Sequence, residues 1–358
     1  MIITLKPSGV RLPAWLQRKV KSEKYIVVML LLAAGLLAGC AHHNDPAEPM
    51  KMSGEQISVQ TNIGGFMRGN RIASIDNNTT LQNNYDLKID AYFHDTETKF
   101  LNGKKLHYDK LHDPSPAWVF WSGSAQEHYY WPFDGAVYDP DGANITYTSL
   151  DFVGYCPFDK PTYIGTPTYA HATGTSFTAD VSSYMTSAAQ ASMQEFIVAV
   201  LNAQTLATQT AAGGALPMVF KHPFAIVKFV MAAGSGEHVT VDSIGIADLY
   251  TGGTCTCNGL TMAWSSLSGS AALKILPPTP LKYGTASAET VTMLVIPNNY
   301  GIKTLSVRAS WYDWSVVENQ TISADVDFNW QPGYSYTYNL TVTPYALKVD
   351  ISKYTEQW

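Results

Sequence analysis

Charged side chains are scarce in this chain of 358 residues: Asp, Glu, Lys and Arg make up only 15% of it. In soluble domains they make up roughly a quarter. The formal net charge of −6 argues against nucleic acid as a partner, because the phosphate backbone is bound by basic surfaces. With so few charges, Thr, Ser, Asn and Tyr must supply most of the polar surface, and this composition favours strands over helices.

Cysteine is scarcer still, with four in the whole sequence. If Cys40 is set aside, an odd number remains, and this provides no disulfide framework. Cys255 and Cys257 are separated by one residue, so a bridge between them would be strained. No second pair of ligands follows them in the sequence to complete a metal site. We therefore expect Cys156, Cys255 and Cys257 to be small buried side chains, with neither a metal nor a cofactor bound.

Recognisable catalytic motifs are absent. The sequence contains no Gly-x-Ser-x-Gly elbow, no His-Glu-x-x-His, no phosphate loop and no dinucleotide-binding fingerprint. The nine histidines are scattered, and the carboxylates of the predicted strands alternate outward as solvated residues would. The paired carboxylates of a glycosidase could still meet in space. Our prediction is nevertheless a protein that is not an enzyme.

The longest apolar run, Tyr25–Leu37, follows a basic flank and ends in Leu37-Ala38-Gly39-Cys40. This run is too short to span a bilayer comfortably, and the three-part pattern is that of a secretory signal. With cysteine directly after Leu-Ala-Gly, it resembles a bacterial lipoprotein signal. We predict a signal peptide over residues 1–39 and diacylation of Cys40, since two acyl chains give stable anchoring. An ordinary signal peptide with an incidental cysteine, or a core helix, are the alternatives.

The segment after Cys40 changes character twice. Residues 40–55 are polar and contain two prolines, which predicts a flexible tether. From Ile57 the apolar side chains have a period of two, with Ile57, Val59 and Ile63 on one face, which predicts a half-buried strand. Beyond it lies a stretch of little periodicity that carries Arg68 and Arg71, and exposed loops of this kind are where proteolytic nicking concentrates.

The rest of the chain predicts an all-β protein with little helix. Strand patterns recur at spacings of about ten residues with turn signals between them, which is typical of β-sandwiches. We predict two sandwiches in tandem, over residues 56–212 and 216–358, separated by Gly213-Gly214. The last predicted strand alternates through Leu347, Val349 and Ile351.

The aromatic residues between positions 118 and 133 allow two interpretations. Trp118, Trp121 and Trp131 could form a platform on which the rings of a glycan stack. Alternatively, they could fill the sandwich core, where each would bury a large area. We favour core packing and keep a surface glycan-binding lipoprotein as the alternative function.

The two ends of the chain suggest assembly by strand exchange. A sandwich that loses a strand exposes unpaired backbone groups, which a strand from another chain can fill. Here the strand Ile57–Ile63 precedes the arginine-bearing loop, so we expect it to be an edge or inserted strand. The strand Leu347–Ile351 could be donated to a neighbour. Exchange of this kind is head-to-tail, so it propagates as a filament.

Several short motifs occur in an order that resembles the fimbrillin family, the pilin-like lipoproteins that build bacterial fimbriae. These are Leu-Ala-Gly-Cys40, Ile57–Ile63 with arginine soon after, Asp90-Ala91-Tyr92, Tyr130-Trp131-Pro132, Leu150–Tyr155 and Phe220–Ala225. The resemblance implies two transthyretin-like β-sandwich domains and export to the outer membrane as a lipoprotein. It also implies trimming by an arginine-specific protease, here after Arg68 or Arg71, and strand exchange with identical or paralogous subunits. Because anchor subunits of the family keep the lipid and the first strand, a shaft or minor subunit and an anchor both stay open.

The lipoprotein prediction can be tested by Cys40→Ala. This variant has no thiol to carry the acyl chains, so the precursor should move from the membrane fraction to the soluble fraction. Cys156→Ala removes a different thiol and should leave the protein on the membrane. Retention of Cys40→Ala on membranes would contradict the prediction.

Overall fold

The computed structural model describes residues 50, 52–63, 78–112, 115–138, 144–182, 194–234, 238–275, 279–281, 290–313, 316–343, 346–350 and 356–357. The predicted signal peptide and four predicted site residues, Cys40, Arg68, Arg71 and Ile351, lie outside these ranges. Contacts divide the chain into two compact units, residues 1–50 with 138–144 and residues 51–137 with 145–358. Only positions 50, 138 and 144 of the first unit are described, so the fold below is that of the second unit.

Strands dominate the described chain, and the prediction of an all-β protein with little helix is confirmed. The strands are β1 (Met52–Gln56), β2 (Val59–Ile63), β3 (Leu87–Phe93), β4 (Lys99–Asp109), β5 (Ala117–Trp121), β6 (Gln126–Glu127), β7 (Tyr130–Pro132), β8 (Val137–Tyr138), β9 (Ile145–Thr146), β10 (Leu150–Cys156), β11 (Thr168–Ala170), β12 (Ser176–Val181), β13 (Ile197–Gln204), β14 (Leu216–Phe220), β15 (Ala225–Ala233), β16 (His238–Leu249), β17 (Gly252–Asn258), β18 (Thr261–Ser268), β19 (Ala271–Ile275), β20 (Thr279–Leu281), β21 (Thr290–Val295), β22 (Asn299–Asp313), β23 (Val316–Asn329), β24 (Tyr334–Val342), β25 (Leu347–Asp350) and β26 (Glu356–Gln357). The helices in the described ranges are α1 (Asn78–Asn84) and α2 (Leu206–Ala211).

The largest sheet has eight strands, in the order β13-β10-β3-β4-β5-β2-β14 with β6 attached to β5. Its neighbours are antiparallel except β2 and β14, which run parallel. The two ends of this sheet meet just beyond β14, where Lys221 and Val198 exchange backbone hydrogen bonds of 2.8 and 3.0 Å. The sheet is therefore nearly closed on itself, and β2 is the last strand but one before the closing contact.

The remaining sheets are smaller. Two five-stranded sheets are formed mainly by the second half of the chain, in the orders β21-β15-β24-β25 and β19-β16-β22-β23, with β26 attached to β24 and β20 to β16. A four-stranded sheet, β11-β12-β17-β18, combines strands from before and after residue 212, and β1 pairs with β7. The four-stranded sheet therefore joins strands from the two halves of the chain.

The hydrophobic core continues across the predicted domain boundary. One cluster of buried side chains extends from Val153 and Val198 in the large sheet to Val227 and Val307 in the five-stranded sheets. Strand β14 begins after the predicted boundary, yet it pairs with β2 in the large sheet. The hydrogen-bonded sheets thus do not separate between residues 212 and 216, and the division into sandwiches of residues 56–212 and 216–358 stays a prediction.

The tether predicted over residues 40–55 is wrong for its last part. Met52–Gln56 forms β1, which is antiparallel to β7, with Met52 opposite Pro132 and Gln56 opposite Tyr130. The register shifts between these two pairs, and Gly54 has a φ of +81°. An irregular ladder of this kind does not require alternating side chains, so the sequence shows no strand pattern there.

A glycine in the middle of β10 controls how β14 packs. All residues of β10 are buried, and a Cβ added at Gly154 would lie 2.8 Å from Ile89 Cδ1 and 3.0 Å from Met218 Cε. Both distances are shorter than van der Waals contact. The missing side chain at Gly154 therefore leaves the space that Met218 of β14 occupies.

Gly154→Val should lower the free energy of unfolding by about 1–3 kcal/mol, because added methyl groups in a packed core force their neighbours to move. Denaturant titration followed by circular dichroism measures this change. Ala263→Val, on an exposed position of β18, is the control and should change stability by less than about 0.5 kcal/mol. An unchanged unfolding midpoint for Gly154→Val would contradict the described packing.

Candidate functional site

Strand β2 is the predicted exchange strand, and it lies between two neighbours. On one side it pairs with β14 along its full length, from Val59 opposite Leu216 to Ile63 opposite Phe220. On the other side it meets β5 at one pair, Val59 opposite Trp118. Strand β2 is thus an inserted strand, attached much more extensively to β14 than to β5.

The side chains of β2 alternate as the sequence predicts. Those on the buried face are Val59, Thr61 and Ile63. Ile57, two residues before the strand, is also buried, and its backbone N–H donates to the Tyr129 carbonyl at 2.7 Å. The buried period of two therefore extends from Ile57 to Ile63, although the ladder with β14 begins at Val59.

Helix α2 places the Gln209 side chain beside the entry to β2. Gln209 Nε2 donates to the Gln56 carbonyl at 2.9 Å, and Gln209 Oε1 accepts from the Ser58 N–H at 3.0 Å and from the Trp131 indole N–H at 3.1 Å. The helix begins with a capping box at Thr205, which satisfies its first backbone donors. Sequence reasoning missed Gln209, because one glutamine in a short polar segment forms no pattern.

The predicted donor strand corresponds to β25. Its Leu347 is buried and its Val349 is half-buried, whereas Ile351 lies outside the described residues. Strand β25 is antiparallel to β24, with Leu347 opposite Val342 and Val349 opposite Leu340. Among the described strands it pairs with β24 alone, so it lies at the end of its sheet.

The three tryptophans considered for glycan stacking do not form an exposed platform. Trp131 is fully buried, with its ring 6.0 Å from that of Phe152, and Trp118 is 8% exposed. Trp121 is partly exposed, and its ring lies 5.8 Å from the His107 ring. A stacking platform requires rings that are exposed together, so Trp118 and Trp131 belong to the core and the glycan platform is not supported.

Two strand carboxylates that were expected to face solvent are buried instead, and the first is Asp151. It is fully buried and accepts hydrogen bonds from the N–H groups of Thr175 and Ala203 at 2.9 and 2.7 Å. The Nδ1 atom of His94 lies 2.7 Å from the same carboxylate. Asp151 of β10 thus connects the backbone at Thr175, just before β12, to the large sheet.

The second buried carboxylate, Asp90, has a similar set of donors. It accepts hydrogen bonds from the Gly103 N–H at 2.8 Å, Lys99 Nζ at 3.1 Å and the Tyr169 hydroxyl at 3.1 Å. Burial, together with the nearby Asp90 charge, raises the pKa of the Tyr169 hydroxyl, so that this group stays a donor. Asp90 therefore holds the irregular part of β4 before Lys104, where the register with β3 shifts, against β3.

The three described thiols are buried and unpaired with one another, as predicted. Burial raises the pKa of Cys255 and of Cys257 to about 12, and it raises the pKa of Cys156 as well. Because thiolate forms more readily in the unfolded chain, these groups leave stability unchanged below pH 9 and lower it as the pH rises from there towards 12. At neutral pH the thiols behave as small apolar side chains.

Two further searches cover only the residues described here. No three His, Cys, Asp or Glu side chains converge into a possible metal site within these ranges. In the same part of the chain, no helix has the length and apolar character that crossing a bilayer requires.

With its nearly closed β-sheet and one inserted strand, the chain is similar to known proteins. A family model described as fimbrillin-like matches residues 121–358. Since this match covers more than half of the sequence, the chain belongs to the fimbrillin-like family. Membership indicates a fimbrial subunit at the cell surface and points to a structural role. Among curated proteins, none matches the sequence.

Distant similarities to solved structures were also found. A proposed cell adhesion protein from Bacteroides uniformis is 14% identical, with a TM-score of 0.48, covering 82% of this chain and 96% of that one. A second from Bacteroides ovatus is 13% identical, with a TM-score of 0.48 and coverage of 87% and 99%. A C-terminally truncated tip fimbrial protein from Porphyromonas gingivalis is 10% identical, with a TM-score of 0.34 and coverage of 84% and 100%.

The burial of the thiols predicts their reactivity. When the protein is unfolded, the number of thiols that react with a chromogenic disulfide reagent at pH 8 should rise by three, corresponding to Cys156, Cys255 and Cys257. In the folded protein these thiols should react only as fast as the chain opens. Peptide mapping shows which thiols are labelled. Rapid labelling of any of the three in the folded protein would contradict their burial.

Proposed function

We propose that this protein is a structural subunit of a cell-surface fimbria that is exported as a lipoprotein, trimmed by an arginine-specific protease and assembled by strand exchange. The observation that carries the proposal is the position of β2. A cut after Arg68 or Arg71 would leave β1 and β2 attached to the body of the protein by non-covalent contacts alone.

Loss of β2 would leave a slot with the dimensions of a strand. Adjacent strands lie about 4.8 Å apart, so β5 and β14 would be about 10 Å from each other, with one strand position between them. Strand β14 would still be held by the backbone bonds between Lys221 and Val198. The apolar pockets that Val59 and Ile63 fill would be open to water, and burying apolar surface again favours refilling of the slot.

An extended segment with a matching side-chain pattern could refill this slot. The C-terminal segment carries Leu347, Val349 and Ile351 with the same period of two as β2. In the described structure β25 has β24 as its hydrogen-bonded neighbour, so its release would break one ladder. Donation from subunit to subunit, identical or paralogous, is head-to-tail and extends a fibre.

The lipid and the protease control when exchange begins. While Cys40 carries acyl chains, the subunit stays at the outer membrane with its slot filled by its own β2. Cleavage at Arg68 or Arg71 leaves the lipid, β1 and β2 joined to the body by non-covalent contacts alone, and their departure makes the slot accessible. A subunit that keeps Cys40 and β2 would instead serve as the anchor, since its slot accepts no donor.

The proposal is tested by treating the purified precursor with an arginine-specific protease. Strand-exchanged polymers should appear as an SDS-resistant ladder, with a new N-terminus at Gly69 or Ile72. The matched control is the double variant Arg68→Lys, Arg71→Lys, which keeps both charges but removes the cleavage sites, and it should stay monomeric. Leu347→Asp places a charge on the donor strand and should shorten the ladder without preventing cleavage.

Two results would contradict this function. One is a wild-type precursor that is cleaved at either arginine and stays monomeric. The other is a ladder of the same length from the double lysine variant, because assembly would then not need the cut. A lipidated Cys40 at the N-terminus of the protein isolated from intact cells would identify the anchor role.

A further inference from the structure

We propose that Gln209 sets the register of the strand in the slot by binding its backbone, and that it binds the incoming strand of a second subunit as it binds residues 56–58 of its own chain. This inference rests on the proposed strand exchange. It adds a specificity-determining residue of the acceptor subunit, which binds the donor backbone and leaves the choice of side chain to the pocket around Ile57.

The Gln209 amide occupies the position of a neighbouring strand. In a parallel ladder, one residue of a strand donates to the carbonyl before its partner residue and accepts from the N–H after it. Gln209 makes this pair of bonds around Ile57, to the Gln56 carbonyl and from the Ser58 N–H. The ladder with β14 starts one step later, where the Leu216 N–H donates to the Ser58 carbonyl at 2.8 Å. The glutamine side chain therefore extends this ladder beyond the end of β14.

At Ile57 the backbone is also hydrogen-bonded along the other edge of the strand. The Ile57 N–H donates to the Tyr129 carbonyl, so the backbone around Ile57 is bonded on both sides. The Ile57 side chain is 1% exposed. A strand shifted by one residue would direct its polar side chains into this apolar pocket. Gln209 and Tyr129 thus hold the backbone of one strand residue at the pocket, and the pocket requires that this residue is apolar.

The orientation of the Gln209 amide is fixed by groups that stay with the body of the protein after cleavage. An indole N–H can only donate, so the bond from Trp131 requires Oε1 on that side and directs Nε2 towards the Gln56 carbonyl. Trp131 is fully buried, and Gln209 is 5% exposed. Both residues follow the predicted cleavage sites in the sequence. Departure of β1 and β2 therefore leaves Gln209 Nε2 as the donor and Gln209 Oε1 as the acceptor at the mouth of the slot.

The chemistry of the site defines what it can accept. The occupant is an extended segment of a second subunit with an apolar residue at the position of Ile57. The next residue, at the position of Ser58, must have a backbone N–H, which excludes proline there. The side chain at that second position is not read by Gln209, so identical and paralogous subunits can both be accepted.

The first measurement uses the intact, uncut protein and needs no assembly. Gln209→Met keeps the length of the side chain and removes both backbone bonds, so hydrogen exchange at the Ser58 amide should become about tenfold faster. Gln209→Ala should give at least the same effect. Thr210→Ala, which removes a bond within the same helix, is the control and should leave Ser58 unchanged. The Val198 amide should keep its wild-type protection in all variants, which shows that the fold is intact.

The second measurement uses the protease-treated protein. Ladders formed by Gln209→Met should dissociate about tenfold faster in SDS than those of wild type or Thr210→Ala, because each junction lacks the same two bonds. Unchanged Ser58 exchange in Gln209→Met, or ladders of unchanged lifetime, would overturn the role of Gln209 while leaving strand exchange intact. If the cleaved wild type forms no ladder, the proposed function itself fails, even where Ser58 exchange responds as expected.

Discussion

The parallel ladder between β2 and β14 is the interaction on which the rest of this structure depends. It joins residues that are more than 150 positions apart, Val59 and Leu216, and such distant pairing carries a large entropic cost of loop closure. That cost is offset because β2 also fills apolar pockets and completes the sheet between β5 and β14. With β2 present, the large sheet is nearly a closed ring, and with β2 absent it is an open sheet with a strand-wide gap.

The same arrangement explains why a buried glutamine and a buried tryptophan occur together. A carboxamide without partners in the interior is costly, and here Gln209 has three, from Gln56, Ser58 and Trp131. The indole would also lack an acceptor if Gln209 were apolar. An extended backbone beside helix α2 supplies two of these three partners, so the polar cluster is fully hydrogen-bonded when a strand lies there.

The sequence predicts what depends on local pattern. The burial of Val59 and Ile63 follows from a side-chain period of two, which each strand carries by itself. The partner of β2 could not be predicted, because β14 looks like any short apolar run and its pairing is non-local. Met52–Gln56 was missed because its ladder is irregular at Gly54.

Polar contacts show the same limit. Asp90 alternates with apolar residues of β3, so the pattern places it in solvent, yet donors from Gly103 and Tyr169 allow its burial. Gln209 gives no signal at all, since its hydrogen bonds are to the Gln56 and Ser58 backbone of a distant segment. Residues whose partners are backbone groups of a distant segment leave no trace in a single sequence.

The N-terminal strands are held by two different sheets, β1 by β7 and β2 by β14, and the chain passes from one to the other at Ile57. A mechanical force applied to the chain N-terminal to β1 would act first on the ladder between β1 and β7. Because β1 and β2 belong to separate ladders, the ladder of β1 would yield first and such tension would be absorbed before it reached the strand that closes the sheet.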